Sequence, residues 1–200
     1  MADVRVPTGI AALDSALGGG LPEATVTLVR GPPGAGKTTL ALRFLAEGAR
    51  RGERCFLLSA DMDEDQLARA CRATPGLGDA AEFWQRNLIV QHLHQTEHRR
   101  LGYLTQAVEE YPAVDRLVVD NMDALRAHTG EEASLRELGG FCAGLRRRVR
   151  ACLLLWEAQE GDLYPCDGLF SISIDAVGCR WLEPMRMRYV AGLKRDRVEL

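Results

Sequence analysis

Residues Gly31-Pro32-Pro33-Gly34-Ala35-Gly36-Lys37-Thr38 constrain the fold more than any other stretch of the chain. They fit G-x-x-x-x-G-K-[ST] in the context that pattern requires, with the apolar run Thr25-Val-Thr-Leu-Val29 before it and the helical run Thr39-Leu-Ala-Leu-Arg-Phe44 after it. A strand that turns into a helix through glycines brings backbone N–H groups together at the positive end of that helix, which makes a cradle for an anion. The bland alternative, a glycine turn that happens to precede a helix, does not call for Lys-Thr in register. Only Lys37 and Lys194 are lysines among 25 Lys+Arg residues, so a chain that otherwise uses arginine keeps a compact ammonium in this loop. The pattern predicts that Lys37 bridges the β and γ phosphates of a nucleotide and that Thr38 offers its hydroxyl to Mg²⁺. Gly31, Pro32, Pro33, Gly34, Ala35, Gly36, Lys37, Thr38 and Thr39 are the candidate binding residues.

Short aliphatic or β-branched runs alternate with amphipathic stretches elsewhere, which predicts an α/β fold with a mostly parallel sheet covered by helices. Strands are expected at 24–30, 55–59, 87–91, 116–120 and 151–156, and helices at 37–51, 64–72, 97–111 and 131–148. Asp63-Glu-Asp-Gln66 and Thr129-Gly-Glu-Glu132 both fit a capping box at a helix start. The stretch 169–190 alternates, turns at Ala176-Val-Gly178 and continues, which predicts an antiparallel hairpin closing one sheet edge. With 200 residues, 46% apolar, and no linker or repeat, a single domain over 1–200 is the simplest division.

The formal charge of −3 gives no bulk positive field for nucleic acid or an anionic membrane. The longest apolar run, 151–156, is far short of the ~18 residues that span a bilayer, and Met1-Ala-Asp-Val opens no signal peptide, so a cytoplasmic protein is expected. Six scattered cysteines without a C-x-x-C pair read as buried free thiols.

The metal in such a loop needs a carboxylate at the end of a neighbouring strand, and Arg116-Leu-Val-Val-Asp120 supplies one. Asp120 could instead serve as an N-cap for a helix at 121–125. No N-K-x-D sequence for reading guanine occurs, so adenine is the expected base.

Arg5-Val-Pro-Thr-Gly-Ile-Ala-Ala-Leu-Asp-Ser-Ala-Leu-Gly-Gly-Gly-Leu-Pro22, the glycine loop and Phe44-Leu-Ala-Glu-Gly-Ala-Arg-Arg-Gly-Glu53 resemble the opening of KaiC-type ATPases, in the RecA/RadA branch of P-loop proteins. The resemblance continues through Cys55-Phe-Leu-Leu-Ser-Ala-Asp-Met-Asp-Glu-Asp-Gln-Leu67, the Asp120 strand, Leu153-Leu-Leu-Trp-Glu157 and the terminal hairpin. It implies a RecA-like fold and a homo-oligomer, a ring that is usually a hexamer, with ATP between adjacent subunits. It implies catalysis by a carboxylate after the strand that follows the loop helix. Asp61-Met62 stands where the family commonly has two glutamates, so Asp61 keeps the charge on a side chain one methylene shorter; as a residue alone it also reads as a turn carboxylate. The family's hairpin ends in K-x-R, and Met185-Arg186-Met187-Arg188 matches that spacing. At period 2, Arg186 and Arg188 share one face and Met185 and Met187 the other. The resemblance makes the two arginines trans-acting cations for a neighbour's γ-phosphate, and the residues alone are equally compatible with a solvated strand face. Leu155 and Trp156 stand where relatives often carry a polar residue before Glu157, so a polar γ-phosphate sensor is absent from that strand.

These departures imply that nucleotide binding outlasts fast turnover. The expected protein is an ATP- and Mg²⁺-dependent regulatory switch with weak ATPase activity. A non-hydrolysing scaffold for a partner protein is the alternative, and a DNA recombination accessory is the less favoured reading. In recombinases of this branch two loops grip DNA. The first here, 121–130, sets Arg126 against Asp123; the second, 157–167, holds Glu157, Glu160, Asp162 and Asp167 with no Lys or Arg, which would repel a phosphate backbone. His92, His94 and His98 read as loop histidines rather than a zinc site. Arg146-Arg-Arg148 and Arg150 read as cations at a helix end. Ser171 and Ser173 fit the polar face of a strand, although autokinase relatives are phosphorylated on such residues.

Overall fold

The computed structural model describes residues 4–60, 62–78, 87–92, 101–111, 114–123, 131–157 and 165–200, with backbone only for 131–135. The continuous apolar runs become strands buried on both faces, as a parallel sheet between helix layers requires. Strand β3 (Thr25–Arg30) is flanked by β7 (Ala151–Trp156) and β8 (Gly168–Ile174), parallel to both. Beyond β7 lie β6 (Arg116–Asp120), β4 (Cys55–Ser59) and β5 (Leu88–His92), all parallel. Beyond β8 run β9 (Arg180–Met187) and β10 (Val198–Glu199), each antiparallel to its neighbour. The predicted hairpin is β8 and β9; β10, which sequence reading did not anticipate, forms that edge of the sheet.

Period 2 sorts the core into two layers. Cys55 and Leu57 of β4, Val118 of β6, and Leu153 and Leu155 of β7 face one cluster, with α1 (Ala11–Ala16), α2 (Lys37–Arg50) and α3 (Glu64–Ala73). Phe56, Leu58, Leu117, Val119, Cys152 and Leu154 face the other, with α4 (Leu101–Glu110) and α5 (Glu131–Arg146). Helix α3 starts with the predicted capping box: Asp63 accepts the Gln66 N–H and the Gln66 side chain accepts the Asp63 N–H. The second predicted box, at 129–132, lies outside the described residues.

The N-terminal segment is tied to this sheet. Strands β1 (Arg5–Val6) and β2 (Leu21–Pro22) form a small antiparallel pair, and Thr8 donates twice to Asp14 at the start of α1. Val6, Ile10, Leu13, Leu17 and Leu21 enter the core with α2. Below it sits Arg116, fully buried: it pairs with Glu53, donates to the carbonyls of Pro7 and Phe44 at 2.6 and 2.8 Å, and lies over the Phe44 ring. Gly48 of α2 makes room for it, because a Cβ there would come within 2.5 Å of Arg116 Cδ and Nε.

All six cysteines are free thiols and five are buried, as the sequence predicts. Burial pushes the Cys55 thiol up to about 12 and the Cys71 thiol up to about 11.

One predicted pattern fails. Leu169 opposes Arg186 and Phe170 opposes Pro184, so Met185 is skipped in a bulge. Met187 therefore enters the α2-side core while Met185 packs against the other cluster; the two methionines do not share a face. Among the described residues, no helix is long and apolar enough to cross a membrane.

Candidate functional site

Parallel strands β3, β4, β6 and β7 end on the same edge of the sheet, which gathers residue 31, residues 59–60, Asp120 and Glu157 around the start of α2. The loop between β3 and α2 turns through Gly34 (φ +74°) and Gly36 (φ +99°), and Gly36 caps the helix in a left-handed conformation that disfavours any Cβ. Lys37 opens the helix and is 7% exposed. Its ammonium donates to the Gly31 carbonyl at 2.8 Å and the Pro32 carbonyl at 3.1 Å, so it lies along the inside of the loop. Glu157 Oε1 approaches it to 3.8 Å.

Thr38 and Asp120 meet: the Thr38 hydroxyl donates to Asp120 Oδ2 at 2.7 Å, and the carboxylate is 5% exposed. A hydroxyl and a buried carboxylate in contact at a helix N-terminus are hard oxygen donors, the set that suits Mg²⁺. Asp120 stands at the end of β6 beside Ser59 of β4, and the Ala60 N–H donates to its carbonyl. Asp61 itself lies outside the described residues. Beyond it, the Met62 N–H is held by the Ser59 hydroxyl at 3.1 Å.

Glu157 is anchored from behind, its N–H donating to Asp123 Oδ2 at 2.9 Å. Leu155 and Trp156, at the expected sensor positions, are buried in opposite core layers.

Arg186 and Arg188 lie at the far end of β9, next to the start of β8 rather than to the chain's own glycine loop. Each is held by a neighbouring carbonyl or carboxylate. Arg186 Nη2 donates to the Cys166 carbonyl at 3.2 Å, and Arg188 Nη1 to Asp167 Oδ1 at 3.2 Å. Asp167 is 1% exposed and also accepts Arg146 Nε at 2.7 Å and the Val26 N–H at 3.0 Å. Sequence reading counted Asp167 among the charges that would repel DNA; the structure corrects this, since a buried carboxylate paired with two arginines presents no free charge. The arginines at the end of α5 are likewise paired: Arg146 with Asp167, Arg148 with Glu109 at 3.1 Å, and Arg150 with Glu23 and Glu53.

His92 ends β5 and its Nδ1 lies 3.2 Å from the Met62 carbonyl; His94 and His98 lie outside the described residues. Ser171 and Ser173 lie on β8, where with Arg30, Gly31, Pro32, Ile172 and Ile174 they line a cavity of about 310 Å³ beside the loop. One contact to the loop was missed altogether: Arg180, at the start of β9, donates from Nε to the Gly34 carbonyl at 3.1 Å. No local pattern marks that arginine, because the pairing spans 146 positions.

A model of the family described as "ATPase: KaiC" matches residues 6–161. The chain is 36% identical over 143 residues to Protein RecA of Prochlorococcus marinus, an alignment covering 72% of this chain and 34% of that protein. It is 36% identical over 146 residues to Protein RecA of Brucella anthropi, with 72% and 36% covered. To the circadian clock oscillator protein KaiC of Parathermosynechococcus lividus it is 32% identical over 134 residues, with 66% and 24% covered. The chain thus aligns with about a third of the length of these RecA relatives and a quarter of that of KaiC.

Proposed function

The chain belongs to the KaiC ATPase family, in the RecA branch of P-loop ATPases, and on that premise we propose that it binds ATP with Mg²⁺ and hydrolyses it slowly, as an oligomeric regulatory switch. The observation that carries the reading is the Thr38–Asp120 contact of 2.7 Å next to Lys37. Gly31 to Thr39 would cradle the phosphates, with Pro32 and Pro33 shaping the turn and the non-proline residues offering backbone N–H groups. Lys37, whose ammonium lies on the carbonyls of Gly31 and Pro32, would pair with β and γ oxygens instead when a nucleotide is bound. Thr38 and Asp120 would hold the metal through their hydroxyl and carboxylate oxygens. Bound Mg²⁺ supplies charge neutralisation on the β and γ phosphates.

Asp61 orients the attacking water, and its shorter reach makes turnover slow. Arg186 and Arg188 serve the next subunit: released from Cys166 and Asp167, they stabilise charge on the phosphoryl group held by the neighbour's loop. A second reading, a nucleotide-stabilised scaffold with no turnover, is favoured by the same shortened carboxylate and by apolar Leu155 and Trp156 where the resemblance calls for a polar sensor.

Calorimetry and phosphate release on the same preparations decide between them. Wild type should bind MgATP, and Lys37→Ala should bind it about 10- to 100-fold more weakly, the loss of a charged hydrogen-bond donor. Asp120→Asn should lose most of the Mg²⁺ dependence. Phosphate release above the Lys37→Ala level, rising with protein concentration, supports the switch. Tight binding with no release above that level leaves the scaffold. An absence of affinity for any nucleoside triphosphate would sink both.

A further inference from the structure

Asp167 stands immediately before β8 and is pinned there by its backbone. Its N–H donates to the Val26 carbonyl of β3 at 2.8 Å, and its carbonyl accepts the Arg188 N–H, just past the end of β9, at 2.9 Å. The side chain is 1% exposed, and its two oxygens are served by different donors. Oδ2 accepts Arg146 Nε at 2.7 Å and the Val26 N–H at 3.0 Å, whereas Oδ1 accepts Arg188 Nη1 at 3.2 Å.

The two cations are not seated alike. Arg146, at the end of α5, is 28% exposed and donates a second time, from Nη2 to the Pro165 carbonyl. Arg188 is 50% exposed, and among the described residues Asp167 Oδ1 is its one side-chain partner. A buried carboxylate stripped of every cation is costly, and one that keeps a hydrogen-bonded cation is not. Departure of Arg188 leaves Asp167 paired with Arg146 and the Val26 N–H. Without Arg146, the same departure would leave a bare charge in the core.

We propose that Arg146 is a positioning residue for the site shared between subunits: it keeps Asp167 neutralised and so frees Arg188 to reach the nucleotide of a neighbouring copy. The inference rests on the reading above, in which Arg188 acts on the next subunit, and adds the residue that governs its release. Arg146 touches no nucleotide in this scheme; it acts through Asp167.

The test isolates the subunit that donates the arginines. Subunits carrying Arg186→Ala and Arg188→Ala keep the glycine loop and need a neighbour's arginines, while Lys37→Ala subunits supply arginines and lack a working loop. Phosphate release by equal mixtures is measured with Lys37→Ala donors that carry no further change, Arg146→Gln, Asp167→Asn, or both, beside the thermal unfolding of each donor. The Arg146→Gln donor should support about tenfold less release than the unmodified donor. Adding Asp167→Asn should restore it, since a neutral amide has no charge with which to hold Arg188. The donor with Asp167→Asn alone should be no weaker than the unmodified one. Undiminished release with the Arg146→Gln donor overturns the proposal. A loss that Asp167→Asn does not recover also overturns it, because Arg146 is then only structural. A weak Asp167→Asn donor does the same, since the carboxylate then presents Arg188 rather than storing it; this last comparison decides the matter where Arg146→Gln lowers the unfolding midpoint. If the unmodified donor restores no release, the shared-site reading itself has failed, and this inference with it.

Discussion

Thr38 and Asp120 are separated by 82 positions and meet at 2.7 Å, and their places were legible because Thr38 closes the glycine-loop pattern at the start of a helix and Asp120 ends an apolar strand run. Charges without such a signature were not legible. Asp167 read as a loop carboxylate and is a buried acceptor for two arginines; Arg116 read as the first residue of a strand and is a fully buried cation. Burial of a charge is decided by what lies above it, which a local pattern does not encode. Asp175 gives a pH test at this scale. The Trp181 indole N–H, helped by the backbone N–H groups of Cys179, Val177 and Gly178, holds its carboxyl below the usual carboxylate range. A folded value below the unfolded one favours the charged form in the native state. Its contribution is therefore complete above the unfolded value and is lost as pH falls through the folded one. The stability difference between wild type and Asp175→Asn should be constant above about pH 5 and shrink on further acidification. Thermal unfolding across that range checks it, and a difference that persists in acid would contradict the assignment.

Helix α2 shows why an element cannot be judged by propensity alone. Gly48 sits near its C-terminal end, where alanine is the better helix former by about 1 kcal/mol. The buried Arg116 side chain occupies the space that a methyl group needs. Gly48→Ala should therefore destabilise the protein, by about 1–3 kcal/mol for overpacking, and by less in an Arg116→Ala background, where Cys55 Sγ, 2.8 Å from the same Cβ, still crowds it. Denaturant unfolding of the two single variants and the double variant checks both halves. Strand β9 teaches the same point: its alternation was legible, and its bulge at Met185 was not, because the extra residue is defined only against the partner strand β8.

At the scale of the whole molecule, β9 runs antiparallel to β8, so its two ends serve different places. Arg180 reaches the chain's own loop, while Arg186 and Arg188 stand at the opposite end of the sheet. A site completed between copies then has a simple signature. Lys37→Ala subunits lack a working loop but present both arginines; subunits carrying Arg186→Ala and Arg188→Ala have the loop alone. Each preparation should be inactive. An equal mixture should regain roughly a quarter of the wild-type phosphate release, the share of interfaces that join an intact loop to intact arginines in a cyclic assembly. A mixture no more active than its parts would remove the arginines from catalysis.

The linear sequence was sufficient for the glycine loop, for Asp120, and for five strands and a hairpin, because steric freedom at glycine, apolar periodicity and caps act over a few residues. Strands of only two residues, β1, β2 and β10, carry no periodicity to read. Tertiary structure alone decided which charges are buried, where β9 bulges, and that Arg180 lies on the loop. Each of those depends on the distance between residues far apart in the chain, and only the packed sheet sets that distance.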